Sequence, residues 1–318
     1  MRIGVLNNVH AGRNPRRAAR VRAFLHAHPE VPQVETESGE HVAEALRLLA
    51  REDVELLAIN GGDGTLQRTL SEILANGYFA QVPLIAPLRG GRTNMNALDI
   101  GSQRNPVTAL EALFHAARNG GVHDRLVERA VLRLEFGDGA PAHYGMCMGV
   151  GLVCRAIELT HSVFPEGRAQ GVFGSSVVIG TLIARLMAGS RTGILQPDAM
   201  RIRLDGQQVQ PENFLLVFAT TLERLFLNIR PFWGQEQADV RITAIAGDVR
   251  CPLRAVPGIL RGRPPASITP ETGYTSCNVH EAELRLDCGL VLDGEMFAPE
   301  PGRVARISAD RRVRFVRA

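Results

Sequence analysis

Short apolar runs alternate with amphipathic stretches over the first 120 or so residues. Arg2–Leu6, Val31–Glu35, Val54–Ile59 and Val82–Ala86 are strand candidates. Val54–Ile59 is almost continuously apolar, the pattern of a strand covered on both faces of a parallel sheet. Between these runs, Ala18, Val21 and Leu25, then Val42, Leu46 and Leu49, then Leu66, Leu70, Ile73 and Leu74 recur at helical spacing. Each set predicts a helix with one inward face. Asn14-Pro15 and Asn105-Pro106 read as helix starts, an N-cap followed by proline at the first helical position. The second of these helices, with Leu110, Leu113 and Phe114 on one side, is expected to end at Gly120-Gly121.

Beyond that point the pattern changes. Val131–Phe136, Met200–Leu204, Phe214–Phe218, Val240–Ile245, Ala282–Asp287 and Val304–Ile307 are short runs, several of them alternating, separated by turns such as Gly137-Asp138-Gly139 and Asp205-Gly206. The expected fold is therefore an α/β N-terminal domain, a parallel sheet with flanking helices, over 1–122. A mainly antiparallel β-sandwich follows over 123–302, and a closing strand near 303–318 returns to the first domain.

At 318 residues the chain has room for two cores. A net charge of +3 does not mark a nucleic-acid binder. Lysine is absent and all 36 basic residues are arginine, which excludes a Walker A lysine, the ATP-pairing lysine of protein kinases and any Schiff-base lysine. The five cysteines form no CxxC pair and no zinc spacing, and Met1 leads directly into an apolar strand. Reduced thiols in the cytoplasm are the expectation. The longest apolar helix candidate, Val177–Met187, contains Arg185 and is too short to span a bilayer, so membrane contact is expected to be peripheral.

The stretch carrying the most chemistry is Ala58-Ile59-Asn60-Gly61-Gly62-Asp63-Gly64-Thr65, between a buried strand and a helix. Glycines there let a ligand approach the backbone, and a helix N-terminus presents N–H groups with a positive dipole end. That combination is a phosphate seat. Asp63 beside it suits a metal ligand or a proton acceptor. The plain alternative is a tight strand-to-helix turn that uses glycine for steric reasons.

Gly61 to Thr65 resembles the GGDGT motif of the diacylglycerol kinase catalytic-domain family, which includes bacterial lipid kinases and sphingosine and ceramide kinases and shares a distant fold with NAD kinases. Other segments extend the resemblance. Asn7 and Gly12 match its first loop, with Asn8 and Ala11 replacing proline and serine. Thr36 stands where the family has a threonine near the ATP phosphates; an ordinary helix cap is the other reading. Pro87 to Ala97 resembles its second glycine-rich loop, with Gly91 and Asn94 in register and Arg92 in place of a threonine. Tyr144 to Ala156 resembles a strand-and-turn segment in which Met146 and Val153 replace Asn and Asp. Phe173-Gly174 resembles the start of a lipid-side helix, and Leu292-Asp293-Gly294-Glu295 the DGE signature. A bare Asp-Gly is also a favoured hairpin turn.

The resemblance implies an ATP- and Mg²⁺-dependent lipid kinase acting on a hydroxyl of diacylglycerol, ceramide or a related sphingoid lipid. It implies Asp293 as general base with Asp63 as its rival, and Asp63 and Glu295 as metal ligands. Asn7, Thr36, Gly61, Gly62, Asp63, Gly64, Thr65, Gly91, Arg92 and Asn94 are then expected around the nucleotide. Asp63 and Asp293 lie 230 positions apart in the two expected domains, which places the expected site in an interdomain cleft. The lipid would be reached at the inner membrane face through Phe173–Met187 or Leu225–Trp233, and family members often form homodimers. An NAD kinase-like enzyme, or a family member that binds nucleotide or lipid without turnover, are the competing readings.

Overall fold

The computed structural model describes residues 1–318 apart from 14, 138, 164–176, 179, 183, 186–187, 189–192, 226–227, 251 and 301. Phe173-Gly174 and the Asn14 cap fall outside the described residues. The chain divides into two compact units. One comprises Met1–Val131, His143–Gly145 and Arg311–Ala318, the other Leu132–Ala142 and Met146–Asp310.

The N-terminal unit is a parallel sheet built from β1 (Ile3–Asn8), β2 (Gln33–Thr36), β3 (Leu56–Gly61) and β4 (Leu84–Arg89). β1 pairs in parallel with both β2 and β3, and β3 with β4. Phe315, near the end of the long β16 (Val304–Val316), pairs in parallel with Ile85 of β4. The strands are buried on both faces, as their apolar runs require: Leu56, Leu57, Ala58 and Ile59 are all at or below 1% exposure. On one face, Val21 and Leu25 of α1 (Pro15–His26) and Leu110, Leu113 and Phe114 of α5 (Pro106–Asn119) pack against Val5, Leu56 and Ala58. The buried stripes of α2 (Val42–Arg51) and α3 (Asp63–Asn76) are Val42, Leu46 and Leu49, and Leu66, Leu70 and Ile73. α5 starts on the expected cap, with Asn105 Oδ1 accepting the Val107 N–H at 3.1 Å, and stops at Gly120 with φ +78. The unit also contains the short α4 (Met95–Ile100), most of β5 (Leu126–Glu135), and β6 (His143–Gly145).

The C-terminal unit is an antiparallel β domain. Its elements are β7 (Cys147–Gly151), α6 (Leu152–Val163), β8 (Asp198–Leu204), β9 (Gln207–Val209), β10 (Asn213–Thr220), β11 (Val240–Ala246), α7 (Pro252–Ile259), β12 (Tyr274–Val279), β13 (Glu281–Leu286), β14 (Leu290–Leu292), β15 (Glu295–Phe297) and the first part of β16. β10 pairs with β7, β8 and β11, β7 with β14, and β8 with β13, all antiparallel. Inward residues of these strands form one core that includes Met148, Val150, Ile202, Phe214, Val217, Ile242, Leu284 and Leu292. Two smaller clusters lie beside it. Val178 and Leu182 of the expected apolar helix pack with Leu195 and Leu215. Trp233 packs on Val249, Ala255, Ile259, Ile268 and Tyr274. Among the described residues no helix is long and apolar enough to cross a membrane.

Candidate functional site

In the N-terminal unit the expected residues collect at the C-terminal ends of the parallel strands, the edge where open α/β sheets bind ligands. Asn8 is in register with Thr36, and Asn7 with Asn60, across β1, β2 and β3. Asn60 Nδ2 donates to Asn7 Oδ1 at 2.7 Å, and Asn7 Nδ2 donates to Glu35 Oε1 at 3.0 Å. Arg22 holds Glu35 with two bonds, at 3.0 and 3.1 Å. Asn8 Nδ2 donates to Thr65 Oγ1 at 2.9 Å, tying the first loop to the start of α3.

Thr36 is not a helix cap: it ends β2, and the next helical turn begins at Gly39 after Ser38. Its hydroxyl is buried with no hydrogen-bond partner. Asn94 Oδ1 and both polar atoms of the fully buried Asn96 are also unpartnered. Buried polar atoms without partners are costly, and each calls for a polar ligand or ordered water.

Gly61 closes β3 and Gly62 stands at the N-cap of α3, where no side chain caps the helix. The second glycine turn, Gly90-Gly91, lies directly against the first, with the Gly91 N–H donating to Gly61 O at 2.9 Å. A Cβ on Gly91 would lie 2.3 Å from Gly62 Cα, one on Gly90 2.5 Å from Asn60 Oδ1, and one on Gly61 2.5 Å from the Thr65 side chain. The Gly91 position is therefore spent on packing one main chain against another, and the Gly61 position on making room for the Thr65 side chain. The steric account of these glycines is correct for those two, and the uncapped helix start remains for a ligand.

Asp63 opens α3 and reaches the second turn. Its Oδ2 and Oδ1 accept the main-chain N–H groups of Met95 and Asn96, each at 3.0 Å, so that the carboxylate caps α4. Burial pushes this carboxyl above the usual carboxylate range, against the opposing pull of the Asn96, Met95 and Asn94 main chain. Asn94 precedes α4 in the left-handed region at φ +52, and its Nδ2 donates to Gly91 O at 2.8 Å. A cavity of about 10 Å³, room for one water, is lined by Gly61, Gly62, Asp63 and Asn94. Arg92 is half-buried in the same loop. Arg89 ends β4 in register with Gly61, and burial together with Arg89 and Arg104 lowers the pKa of Arg17. Arg17 also donates to the Arg104 carbonyl.

The C-terminal unit holds the remaining expected residues. Asp293 and Gly294 form a two-residue hairpin between β14 and β15, with φ +48 and +92 and Leu292 paired to Glu295. The hairpin reading and the signature reading describe the same turn. Asp293 is buried at 5% exposure, while Glu295 is exposed. Asp293 Oδ2 accepts the Met146 N–H at 2.8 Å, and its own N–H donates to Cys147 O at 2.8 Å. The Met146 carbonyl accepts Thr220 Oγ1 at 2.7 Å and the Thr221 N–H at 3.0 Å. At 146 these bonds use main-chain atoms only, so an apolar side chain there leaves them in place. Val153 fills the space over Gly149, where a Cβ would meet it at 2.3 Å.

Sequence reasoning missed Asn60, Asn96 and the Arg22–Glu35 pair. Asn60 carried a readable signal, a polar residue ending a buried strand just ahead of the glycines. Among the described residues no group of three or more His, Cys, Asp or Glu side chains is placed to hold a metal ion. Two parts of this arrangement fit the phosphates of a nucleotide, namely the uncapped start of α3 and the unpartnered Asn94 Oδ1 beside it.

Comparison with known proteins gives the site its context. The full chain aligns with a solved structure of a candidate diacylglycerol kinase from Bacillus anthracis str. Sterne, with a TM-score of 0.68, 14% identity and 97% of that chain covered. A second structure, of a diacylglycerol kinase from Bacillus anthracis str. Sterne, also aligns over the full chain, with a TM-score of 0.61, 13% identity and 97% coverage. These likenesses establish a shared fold. No curated protein matches the chain in sequence. The model of the diacylglycerol kinase catalytic domain matches residues 2–121, which contain both glycine turns, Asp63, Thr36 and Asn94. Residues 2–121 thus belong to the diacylglycerol kinase catalytic domain family.

Proposed function

We propose that the protein is an ATP-dependent lipid kinase that phosphorylates a hydroxyl of diacylglycerol, ceramide or a related sphingoid lipid. The observation that carries this reading is the pair of glycine turns held together by Asp63, beside an uncapped helix start, inside residues that match a kinase catalytic domain. Helix N-termini bind phosphate through main-chain N–H groups and the dipole, and nearby arginines add charge. Arg89 and Arg104 act on Arg17 as like charges, which gathers positive charge at one place in this unit.

In this reading Asp293 takes the proton from the acceptor hydroxyl as the new O–P bond forms and the bond to the leaving diphosphate breaks. Its main-chain and side-chain bonds to Cys147 and Met146 fix the carboxyl in one orientation. Mg²⁺, when bound with the nucleotide, neutralises phosphate charge, and Asp63 and Glu295 are the carboxylates assigned to it. The lipid is reached by peripheral contact, without a spanning helix.

The test is transfer of label from γ-labelled ATP to a panel of diacylglycerol, ceramide, sphingosine, undecaprenol and NAD. Labelled diacylglycerol, ceramide or sphingosine is the expected product. Label on NAD alone replaces this reading with the NAD kinase one. ATP binding without transfer to any acceptor makes the chain a binding protein.

A further inference from the structure

The C-terminal unit contains an open pocket of about 780 Å³, within the size range of small-molecule sites. Four arginines line it, Arg230, Arg241, Arg261 and Arg263, against the single carboxylate of Glu223, with Phe232 as an apolar wall. Arg241 is fixed in place. It donates to the Thr221 and Leu222 carbonyls at 3.0 and 3.2 Å, and its guanidinium lies 5.5 Å from the Phe232 ring centre. Among the described residues Arg230, Arg261 and Arg263 form no ion pair; the Arg261 guanidinium donates to the Pro257 carbonyl at 3.3 Å.

The backbone holds the pocket in shape. The Arg230 N–H donates to Leu260 O at 3.0 Å, which joins the loop before β11 to the turn after α7. Gly262 occupies φ +65, and a Cβ there would lie 2.8 Å from the carbonyl oxygens of both Arg230 and Phe232. Four arginines brought together from separate segments outnumber the one carboxylate of the pocket, and their like charges repel one another. An anion that accepts several N–H bonds relieves that repulsion, and guanidinium geometry matches phosphate oxygens.

We infer that this pocket binds a phosphate-bearing headgroup, with its phosphate on the arginines and its carbon skeleton against Phe232. The phosphate comes either from an acidic phospholipid or from a soluble phosphomonoester, and the chemistry of recognition is the same. The inference is independent of the phosphoryl-transfer reading, because it concerns binding alone.

The experiment compares the full-length protein, the Arg230→Gln/Arg263→Gln double variant, and Arg201→Gln as a control whose arginine pairs with Glu212 outside the pocket. Glycerol 3-phosphate is titrated while the emission of Trp233, the only tryptophan, is followed. Sedimentation uses phosphatidylcholine vesicles with and without phosphatidic acid. The expected result is binding of at least one phosphate probe that weakens tenfold or more in the double variant, falls with salt, and is unchanged in the control. Binding of the soluble probe only assigns a free phosphomonoester; binding of acidic vesicles only assigns a lipid; either supports the pocket. No binding of either probe, or equal binding by wild type and double variant, overturns it. Should the double variant misfold, Arg261→Gln alone is read by the same criteria.

Discussion

Asp63 and Asn96 are 33 positions apart in sequence and joined by one hydrogen bond, from the Asn96 main-chain N–H to Asp63 Oδ1 at 3.0 Å. The other carboxylate oxygen takes the Met95 N–H. The residue that family resemblance assigns to metal or proton work is therefore also the clamp between the two glycine turns. Removing its charge acts on structure and chemistry together, and the two effects can be separated by measuring stability without metal.

Asp63→Asn turns one acceptor oxygen into an amino group facing a main-chain N–H. Hydrogen bonds to charged groups contribute about 1.5–3 kcal/mol, so a loss of roughly that size is expected in urea unfolding with chelator present. Weaker ATP binding should accompany it as the second turn loosens. Unchanged metal-free stability would remove the clamp and leave only a chemical role.

The glycine turns give a contrast within one pair of residues. A Cβ on Gly91 would come within 2.3 Å of Gly62 Cα, whereas one on Gly62 meets Gly91 Cα at 3.4 Å. Gly62 is in an extended conformation that any residue adopts. Gly91→Ala should therefore cost about 1–3 kcal/mol as an overpacked site, and Gly62→Ala much less. Gly62→Val adds branches at the helix start and should weaken ATP binding tenfold or more. Equal unfolding midpoints for the two alanine variants would contradict the packing argument.

Asp293→Asn keeps an oxygen to accept the Met146 N–H, and asparagine tolerates φ +48. The fold should survive while turnover falls about a hundredfold or more, the usual cost of losing a general base. Retained activity here, with Asp63→Asn inactive, would exchange the two roles.

What was legible in the sequence was what local pattern determines. Strands buried on both faces announced themselves as apolar runs, α5 by Asn105-Pro106 and Gly120, and the hairpin at Asp205-Gly206 by its dipeptide, whose φ values are +46 and +81. Long-range pairings left no such trace. Ser71 Oγ accepts the Tyr144 N–H at 2.8 Å and donates to its carbonyl at 3.3 Å across 73 positions, and no spacing rule points from one to the other. The Asp63 clamp was hidden for the same reason. At Met146 the side chain was the wrong place to look, because the main chain makes the bonds.

Cys154 gives a pH prediction. Buried at 6% exposure, it donates to Gly149 O and Gly289 O at 3.5 and 3.4 Å. Burial, and next the proximity of Cys288, push its thiol up to about 12 from an ordinary 9.0. Below pH 9 both folded and unfolded chains keep the proton and the full contribution is present. From pH 9 towards 12 only the folded chain keeps it, so stability falls as pH rises. Cys277 and Cys288, each raised to about 11, act in the same direction. Urea unfolding from pH 8 to 11 should show this decline, with a shallower slope in Cys154→Ala. Parallel slopes would mean that the thiol stays protonated in both states or is ionised in both.

The Leu225–Trp233 stretch, one of the two expected membrane surfaces, joins apolar residues to Arg224 and Arg230 and holds the only tryptophan of the sequence. Phe226 and Leu227 fall outside the described residues, but its two ends do not. Leu225 is buried at 7% exposure, and its N–H donates to Ile229 O at 2.9 Å. Trp233 is half-buried against Val249, Ala255, Ile259, Ile268 and Tyr274, and its main-chain N–H donates to Ser276 Oγ at 3.0 Å. A ring committed to a cluster of this kind has little apolar surface left to insert into lipid. Truncating a fully buried tryptophan costs about 3–5 kcal/mol, so Trp233→Ala should cost about 2–3 kcal/mol, scaled for partial burial. Trp233→Asp should cost more, since it places a carboxylate among apolar side chains. Urea unfolding reads both variants, and sedimentation with acidic vesicles, at a temperature where Trp233→Ala stays folded, reads docking. A destabilised Trp233→Ala that still sediments makes the residue part of the core; a variant of unchanged stability that no longer sediments returns it to the membrane surface.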